Sequence, residues 1–311
     1  MQQMIKPPSL KPNDIVAILA PADRPREPSE AQIAQRALEA MGLRVRIGAH
    51  VLGRYGYLAG TDEERLADFH AAWADDAVRG IFCLRGKWGA SRLLPLVDFD
   101  LIASHPKIFV GCGDVTALLV AVHQHTDLIT FHGPNLVNVK SAETRQALQH
   151  TLTSGEPVGV IPRLADPSPT ATLRGGITEG KLIGGSLAAI VGLNGTAHQL
   201  NPQGALLFVE ETDQRFSQFD RDLTTLRLAG ITTAVEAFAI GECVGAYNSS
   251  PTFLSLEEVF AEQVERLTAP VFYGLPIGQG AHQYTLPIGV HARLNADTGA
   301  LDVMESGTLD S

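Results

Sequence analysis

The chain has 311 residues, of which 45% are hydrophobic and 19% charged, so it is long enough and apolar enough for two domains with separate cores. Its formal charge of −10 argues against nucleic acid as a partner, because phosphate backbones are bound by clustered lysine and arginine. The three separated cysteines are typical of reduced thiols in a cytoplasmic protein, and no run of residues has the apolar length of a signal peptide or membrane span.

Apolar runs alternate with helical patterns in the first half of the chain. Capping-box spacing at Thr61 and Glu64 opens a helix whose inner face is predicted to carry Leu66, Phe69 and Trp73. The other predicted elements are strand 15–20, helix 29–41, strand 44–47, strand 80–84, strand 107–111 and helix 115–125. This rhythm predicts an α/β fold with a parallel sheet and helices on both faces.

Prolines concentrate in segment 156–178, which is predicted to be a linker. It would separate an amino-terminal domain, residues 1–155, from a smaller carboxy-terminal α/β domain, residues 179–311. In the second domain a small-residue helix is predicted to open at 182–185. It is followed by strand 205–209, helix 219–229, strand 237–243, helix 254–267 and strand 270–273.

Three turns, at residues 85–89, 111–114 and 133–135, follow predicted strands at the edge where open α/β sheets place their ligands. The turn at 111–114, with sequence GCGD, has the strand–turn–helix form of a nucleophile elbow. Gly113 at its tip has no side chain with which to attack, although the N–H of Asp114 could still stabilise an oxyanion. The alternative is a glycine turn that serves only close packing.

The second half of the chain offers two carboxylates and a glycine-rich loop. Glu210 and Glu211 end a predicted strand, so one can point into a cleft and the other to solvent, although such pairs are more often surface residues. Segment 274–283 contains His282, and a lone loop histidine is usually solvated. GCGD is not followed by the third glycine of a dinucleotide fingerprint, so no cofactor is expected, and no spacing predicts a metal site.

Ordered motifs along nearly the whole chain carry a family resemblance. They are YLAGTDEER at 57–65, RGKWGASRLL at 85–94, PKIFVGCGDVTAL at 106–118, FHGP at 131–134, GGSL at 184–187, LFVEE at 207–211, DRDLTTL at 220–226 and LPIG at 286–289. Together they resemble the LD-carboxypeptidase family, which comprises muramoyl-tetrapeptide carboxypeptidases of cell-wall recycling and microcin C immunity peptidases. The resemblance implies a cytoplasmic serine peptidase, often a homodimer, that cleaves before a terminal D-residue.

The resemblance also implies a triad of Ser, Glu and His around a cleft between the two domains. The family's serine position falls on Gly113, its acid on Glu210 and its histidine on Gln279. Of the three, only the acid is retained. Loss of a triad typically lowers the rate by about a millionfold, so ordinary serine peptidase activity is not expected.

The family's RGGYG turn, which contributes to the oxyanion hole, falls on 85–89, where Lys87 and Trp88 replace Gly and Tyr. Lys87 could neutralise a substrate carboxylate, act as a base or form a Schiff base, or it could be an exposed lysine at a loop tip. The resemblance assigns substrate-binding or oxyanion roles to the remaining residues around this turn, namely Arg85, Gly86, Trp88 and Asp114.

Two further residues could replace the missing groups. Cys112 lies next to the serine position and His282 lies three residues beyond Gln279, so a Cys, His, Glu arrangement is chemically reasonable. The alternative is that Cys112 is a buried structural thiol, because the residue before an elbow tip normally points toward packing.

Three functions remain open from the sequence. The chain is a divergent enzyme that binds and transforms a peptide-like or amino-acid-derived carboxylate or amide, with Lys87 and Glu210 as its polar groups. Alternatively it is a pseudo-enzyme that binds murein peptides without cutting them, or a conventional carboxypeptidase with an inactivated triad. Restoring serine at 113 and histidine at 279 is expected, from the sequence alone, to return some peptidase activity.

Overall fold

The structure is a computed structural model that describes residues 4–137, 139, 141–163, 170–248, 250 and 252–310. The chain divides into two compact units. The first comprises Met1–Pro157, Thr285–Gly289 and Ser306–Ser311, and the second comprises Val158–Tyr284 and Val290–Glu305. Within the described ranges, none of the helices combines the length and the apolar character needed to cross a membrane.

Among the described positions, the first 157 residues form five strands and five α-helices in alternation. In chain order they are β1 Ile15–Leu19, α1 Ser29–Glu39, β2 Arg44–Ile47, α2 Asp62–Ala74, β3 Val78–Cys83, α3 Phe99–Ser104, β4 Ile108–Gly111, α4 Thr116–Thr126, β5 Thr130–His132 and α5 Ala142–Thr153. The capping box of α2 is present, since Thr61 Oγ1 accepts from Glu64 N at 3.3 Å and Thr61 N donates to Glu64 Oε2 at 2.8 Å.

The remaining residues form nine strands and three helices among the described positions. They are β6 Gly159–Ile161, β7 Ala171–Arg174, β8 Ile177–Ser186, α6 Leu187–Gly192, β9 Ala205–Thr212, α7 Phe216–Leu228, β10 Ala237–Val244, α8 Leu256–Val264, β11 Val271–Leu275, β12 Leu286–Ile288, β13 His291–Asn295 and β14 Ala300–Val303.

The first unit contains a six-stranded sheet in the order β12-β5-β4-β3-β1-β2. Neighbouring strands from β5 to β2 run parallel, and β12 pairs antiparallel with β5 at one edge. Strands β1, β3 and β4 are apolar and almost completely buried, as continuous apolar runs in a parallel sheet require. The predicted α/β class with a parallel amino-terminal sheet is confirmed.

The second unit contains an eight-stranded mixed sheet in the order β6-β14-β13-β8-β9-β10-β11-β7. Strands β8, β9, β10 and β11 form its parallel centre, and the flanking strands pair antiparallel. Of the predicted linker, residues 164–169 lie outside the described residues. Its described parts contain β6 and β7, which are the edge strands of this sheet.

Two predicted boundaries differ from the structure. Residues 182–185 belong to β8, and the helix predicted to open there begins at Leu187. The glycines serve a close strand approach, since a Cβ on Gly184 would lie 1.8 Å from the carbonyl oxygen of Phe208 on β9. The chain also returns to the first unit at Thr285–Gly289, within the range predicted to be carboxy-terminal domain. Strand β12 has only three residues, so its sequence carries too little hydrophobic periodicity to predict that it pairs with β5.

Candidate active site

The elbow predicted at 111–114 is formed by the end of β4 and a short 3₁₀ turn that leads into α4. Cys112 is extended, with φ −148° and ψ 174°, and Gly113 has φ +58°, in the left-handed region that favours glycine. The N–H of Asp114 donates to the carbonyl oxygen of Gly86 at 2.6 Å. The donor that was expected to stabilise an oxyanion is therefore engaged by the protein's own backbone.

Gly86 and Gly113 form a close backbone contact that only glycine permits at both positions. A Cβ on Gly113 would lie 2.0 Å from the carbonyl oxygen of Gly86, and a Cβ on Gly86 would lie 1.9 Å from that of Cys112. Both distances are far below van der Waals contact. The carbonyl group of Gly86 thus fills the space next to the elbow where a side chain at position 113 would begin.

Buried ion pairs hold the turn at 85–89 in place. The Arg85 side chain is 8% exposed. Its Nε donates to Asp23 Oδ2 at 2.9 Å, and its Nη1 donates to both carboxylate oxygens of Glu30, at 3.0 and 3.1 Å. Asp23 Oδ1 also accepts from Lys87 N at 2.8 Å. Burial by itself would lower the pKa of Arg85, but its bonds to Asp23 and the charges of both carboxylates raise it.

The far end of the same turn is held by Asp114 and Arg65. Asp114 Oδ2 accepts from Ala90 N at 2.8 Å, and Arg65 Nη1 donates to the carbonyl oxygen of Gly89 at 2.8 Å. Burial raises the pKa of the Asp114 carboxyl, although backbone N–H groups of the turn oppose the shift. Both ends of the turn are therefore fixed by polar groups from other segments of the first unit.

Two side chains of the turn lie nearer the surface. Lys87 is half-buried, and its Nζ lies 5.7 Å from the centroid of the Trp88 ring. Trp88 is 59% exposed and meets Tyr57 edge to face, with ring centroids 6.2 Å apart. The structure therefore places Lys87 beside exposed aromatic rings. The guanidinium group of Arg85 is engaged by the carboxylates of Asp23 and Glu30.

Cys112, the alternative nucleophile, is 4% exposed and lies close to the buried Cys83. Burial raises the pKa of Cys83 well above its usual value, and the neighbouring Cys112 thiol raises it further. An apolar interior disfavours thiolates, and a thiolate is the nucleophilic form of cysteine. This environment favours the structural interpretation of Cys112.

In the second unit, Glu210 lies on β9 and is only 1% exposed. The loop that carries Gln279 packs directly on it, since a Cβ on Gly278 would lie 2.8 Å from Glu210 Cβ and 3.0 Å from its Oε2. The structure thus brings the predicted acid and the loop of the predicted histidine position together. Gln279 itself is half-buried.

A second buried carboxylate, Glu242, lies under the same loop. It follows the middle of β10, is 8% exposed, and abuts Gly280 so closely that a Cβ there would lie 1.5 Å from its Oε2. Gln283 Nε2 donates to the carbonyl oxygen of Gly280 at 2.7 Å, which closes the loop on itself. His282 is half-buried within this loop.

Glu211, the second carboxylate at the end of this strand, is half-buried and hydrogen-bonded within the second unit. Its Oε2 accepts from Ser186 Oγ at 3.0 Å and from Ala188 N at 2.9 Å, and its Oε1 accepts from Thr212 N at 3.0 Å. Glu211 therefore satisfies donors at the start of α6. Burial raises the pKa of this carboxyl, and the hydrogen bonds it accepts oppose the shift.

His132, at the end of β5, is 1% exposed, and its burial lowers its pKa to about 4. Unfolding exposes a histidine whose ordinary pKa is 6.5, so the unfolded state binds more protons between those two values. The contribution of His132 to the free energy of unfolding is fully present above pH 6.5 and is lost as the pH falls toward 4. The free energy of unfolding falls by on the order of 3 kcal/mol over this range because of this group.

We therefore expect His132→Gln to flatten the pH dependence of the free energy of unfolding between pH 7 and pH 4.5, as measured by urea denaturation. The exposed His150 supplies the control, because His150→Asn should retain the slope of the unsubstituted protein. If the free energy of unfolding of His132→Gln depends on pH as steeply as that of the unsubstituted protein, His132 is not the source of the pH dependence.

The sequence did not single out Asp23, Glu30, Arg65 or Glu242. Asp23 follows β1 and Glu242 lies near the end of β10, so acids in or just after the last residues of buried strands were the available signal. Arg65 is 2% exposed, while the neighbouring Leu66, predicted to lie on the inner face of α2, is half-buried.

Across the described ranges, no group of three or more His, Cys, Asp and Glu side chains is arranged to hold a metal ion.

The family model for the LD-carboxypeptidase N-terminal domain matches residues 16–133, and that for the LD-carboxypeptidase C-terminal domain matches residues 179–294. The chain therefore belongs to the LD-carboxypeptidase family, whose members are serine peptidases. This confirms the resemblance inferred from the ordered motifs.

Its relatives include proteins named for murein. The chain is 35% identical to a probable murein peptide carboxypeptidase of Bacillus subtilis over 93% of this chain and 91% of that protein. It is 32% identical to the murein tetrapeptide carboxypeptidase of Pseudomonas aeruginosa over 91% of this chain and 93% of that protein.

Solved structures share the fold. The muramoyltetrapeptide carboxypeptidase from Oxalobacter formigenes has a TM-score of 0.83 at 28% identity, over 96% of this chain and 100% of that one. The microcin C7 self-immunity protein MccF in complex with aspartyl sulfamoyl adenosine has a TM-score of 0.87 at 23% identity, over 98% of this chain and 99% of that one. The latter likeness bears on the fold alone.

Proposed function

We propose that this protein binds murein-type peptides without hydrolysing them by the family's serine mechanism. The observation that carries the proposal is the contact between the carbonyl oxygen of Gly86 and the N–H of Asp114, at 2.6 Å. Acyl transfer needs a nucleophile and a donor for the developing oxyanion. Gly113 supplies no hydroxyl, and the Asp114 donor is already engaged.

The environment of the other groups supports the same proposal. Gln279 at the family's histidine position has an amide, which does not accept a proton near neutral pH. Cys112 is buried at 4% exposure. Lys87, in the turn at 85–89, then serves to bind a polar or carboxylate ligand rather than to cleave one. We place the protein in the cytoplasm as a homodimer, in line with the family resemblance and with three free cysteines.

We expect the purified protein to release no D-alanine from a murein tetrapeptide and to resist labelling by a fluorophosphonate, which reacts with activated serines. Calorimetric titration with the same tetrapeptide should show saturable binding. The Pseudomonas aeruginosa murein tetrapeptide carboxypeptidase serves as the positive control for both activity assays. Release of D-alanine would refute the loss of hydrolysis, and absence of any binding heat would refute the binding role.

A further inference from the structure

The turn that follows α6 in the second unit contains the one Asn–Gly dipeptide of the chain, Asn194–Gly195. Asparagine is chemically labile, because the backbone nitrogen of the next residue can attack its side-chain amide carbon and displace ammonia. Glycine after the asparagine favours this attack, since it has no side chain to hinder the approach. Whether the reaction occurs in the folded protein depends on the two reacting groups, the amide of Asn194 and the nitrogen of Gly195.

The side-chain amide of Asn194 is shielded from solvent without being hydrogen-bonded. Neither its Oδ1 nor its Nδ2 has a partner among the residues that the structure describes. Most buried side-chain amides are paired, because an unsatisfied polar group costs free energy in the interior. Loss of the Nδ2 group as ammonia removes two unsatisfied donors. The amide of Asn194 therefore breaks no hydrogen bond when it turns toward an attacking nitrogen.

The attacking nitrogen lies in an ordered and open turn. Asn194 N donates to the carbonyl oxygen of Val191 at 3.1 Å, and Gly195 N donates to Gln199 Oε1 at 2.7 Å. Gly195 is exposed, with φ +75°, and a Cβ built on it would meet nothing within 4 Å. Water and hydroxide can thus reach the N–H of Gly195, which must lose its proton before the nitrogen attacks.

We propose that Asn194 is a site of spontaneous deamidation in the folded protein. Gly195 N bonds to Asn194 Cγ, its proton goes to hydroxide, and the Cγ–Nδ2 bond breaks as the leaving nitrogen takes a proton from water and departs as ammonia. The product is a five-membered succinimide. Water then opens this ring. Cleavage of the new N–Cγ bond gives aspartate, and cleavage of the original peptide bond gives isoaspartate, in which Cγ belongs to the main chain.

Either product changes the end of α6. A carboxylate replaces an amide whose two polar atoms are buried, and an unpaired charge is costlier to bury than an amide. Isoaspartate also lengthens the main chain by one carbon two residues after α6 ends at Gly192. The start of the same helix is bonded to Glu211 through Ala188 N. Deamidation of Asn194 is therefore an irreversible change that weakens the packing of α6 in the second unit.

Mass spectrometry of the full-length protein, incubated in its native state, tests the site. We expect the peptide that contains Asn194 to convert from amide to acid, with part of the product labelled by an isoaspartyl methyltransferase. The rate should rise about tenfold from pH 7 to pH 8, because the attacking nitrogen must be deprotonated. Asn201 is an internal control, since it is exposed but precedes Pro202, whose nitrogen has no proton to lose.

Two results of this incubation would overturn the proposal. One is that Asn194 deamidates in urea-unfolded protein and stays an amide in the native protein, which would mean that the folded turn prevents the attack. The other is that Asn201 converts as fast as Asn194, which would mean that the glycine nitrogen is not the nucleophile.

The effect on the second unit is measured with Asn194→Asp, which reproduces one of the two products. It should lower the melting temperature by about 3 °C or more. Asn201→Asp is the matched control, because it adds the same charge at an exposed position and keeps an oxygen to accept from Gln203 N, bonded there at 3.2 Å. Equal melting temperatures for the two variants would show that the acid at 194 is accommodated, and would overturn the weakening of α6. Neither measurement involves a ligand, so both are independent of the proposed function.

Discussion

Gly113→Ser combined with Gln279→His is expected to leave the protein unable to release D-alanine from a murein tetrapeptide, and to lower its stability. The sequence alone predicted that this pair would restore some activity. The structure changes the expectation, because a Cβ at position 113 would lie 2.0 Å from the carbonyl oxygen of Gly86. The new hydroxyl would therefore enter a space that backbone already occupies.

The stability effect has two sources, which can be separated. A side chain at φ +58° is strained, and the overlap with Gly86 forces the anchored turn to move. Together they should lower the free energy of unfolding by about 2–4 kcal/mol. Gly113→Ala should cost a similar amount, since the Cβ makes the overlap. Gly56→Ser, at φ +62° with nothing within 4 Å, is the matched control and should cost about 1 kcal/mol.

Urea denaturation of the single variants and a D-alanine release assay of the double variant measure both effects. Equal free energies of unfolding for Gly113→Ser and Gly56→Ser would show that the turn at 85–89 moves away from position 113 at little energetic cost. Release of D-alanine by the double variant would show that the carbonyl group of Gly86 moves away from the elbow and that the closed arrangement does not prevent catalysis.

Arg85→Met is expected to destabilise the first unit by about 3–5 kcal/mol, because it leaves two buried carboxylates without their cation. Asp23 and Glu30 have side chains that are 9% and 11% exposed, so water compensates them poorly. The same substitution releases the turn at 85–89, whose Lys87 N–H is bonded to Asp23.

The control for this experiment is Arg92→Met, which removes an ion pair with Asp62 where the arginine side chain is 48% exposed. Exposed pairs contribute little, so its unfolding curve should stay close to that of the unsubstituted protein. Thermal unfolding followed by circular dichroism compares the two variants. A shift in Arg85→Met no larger than that in Arg92→Met would mean that the buried network does not hold the turn.

The elements with strong local patterns could be predicted from the sequence. Strand β2 has the predicted bounds, and the elbow at 111–114 follows from an apolar strand, a glycine turn and an apolar helix. The resemblance placed Gly113, Glu210 and Gln279 in order along the chain. Glycines near Leu182 were misassigned to a helix, because small residues fit both a helix and a close strand approach.

The contacts that close the elbow could not be predicted, because they join residues far apart in the chain. Arg85 is 62 residues from Asp23 and 55 from Glu30, and no local periodicity links them. The contact between Gly86 and Asp114 is likewise made between two turns that follow different strands. A motif shows which residue types are present, whereas the direction of a backbone carbonyl group depends on the packing around it.

The return of the chain at β12 means that neither unit is an uninterrupted piece of sequence. Strand β12 pairs with β5, more than 150 residues earlier, so the first sheet is incomplete until most of the chain has been synthesised. A fragment that ends near residue 157 would leave the edge of β5 unpaired, and open edges promote aggregation. The two units are therefore inseparable by a single cut, and excision of the first one requires grafts of residues 285–289 and 306–311.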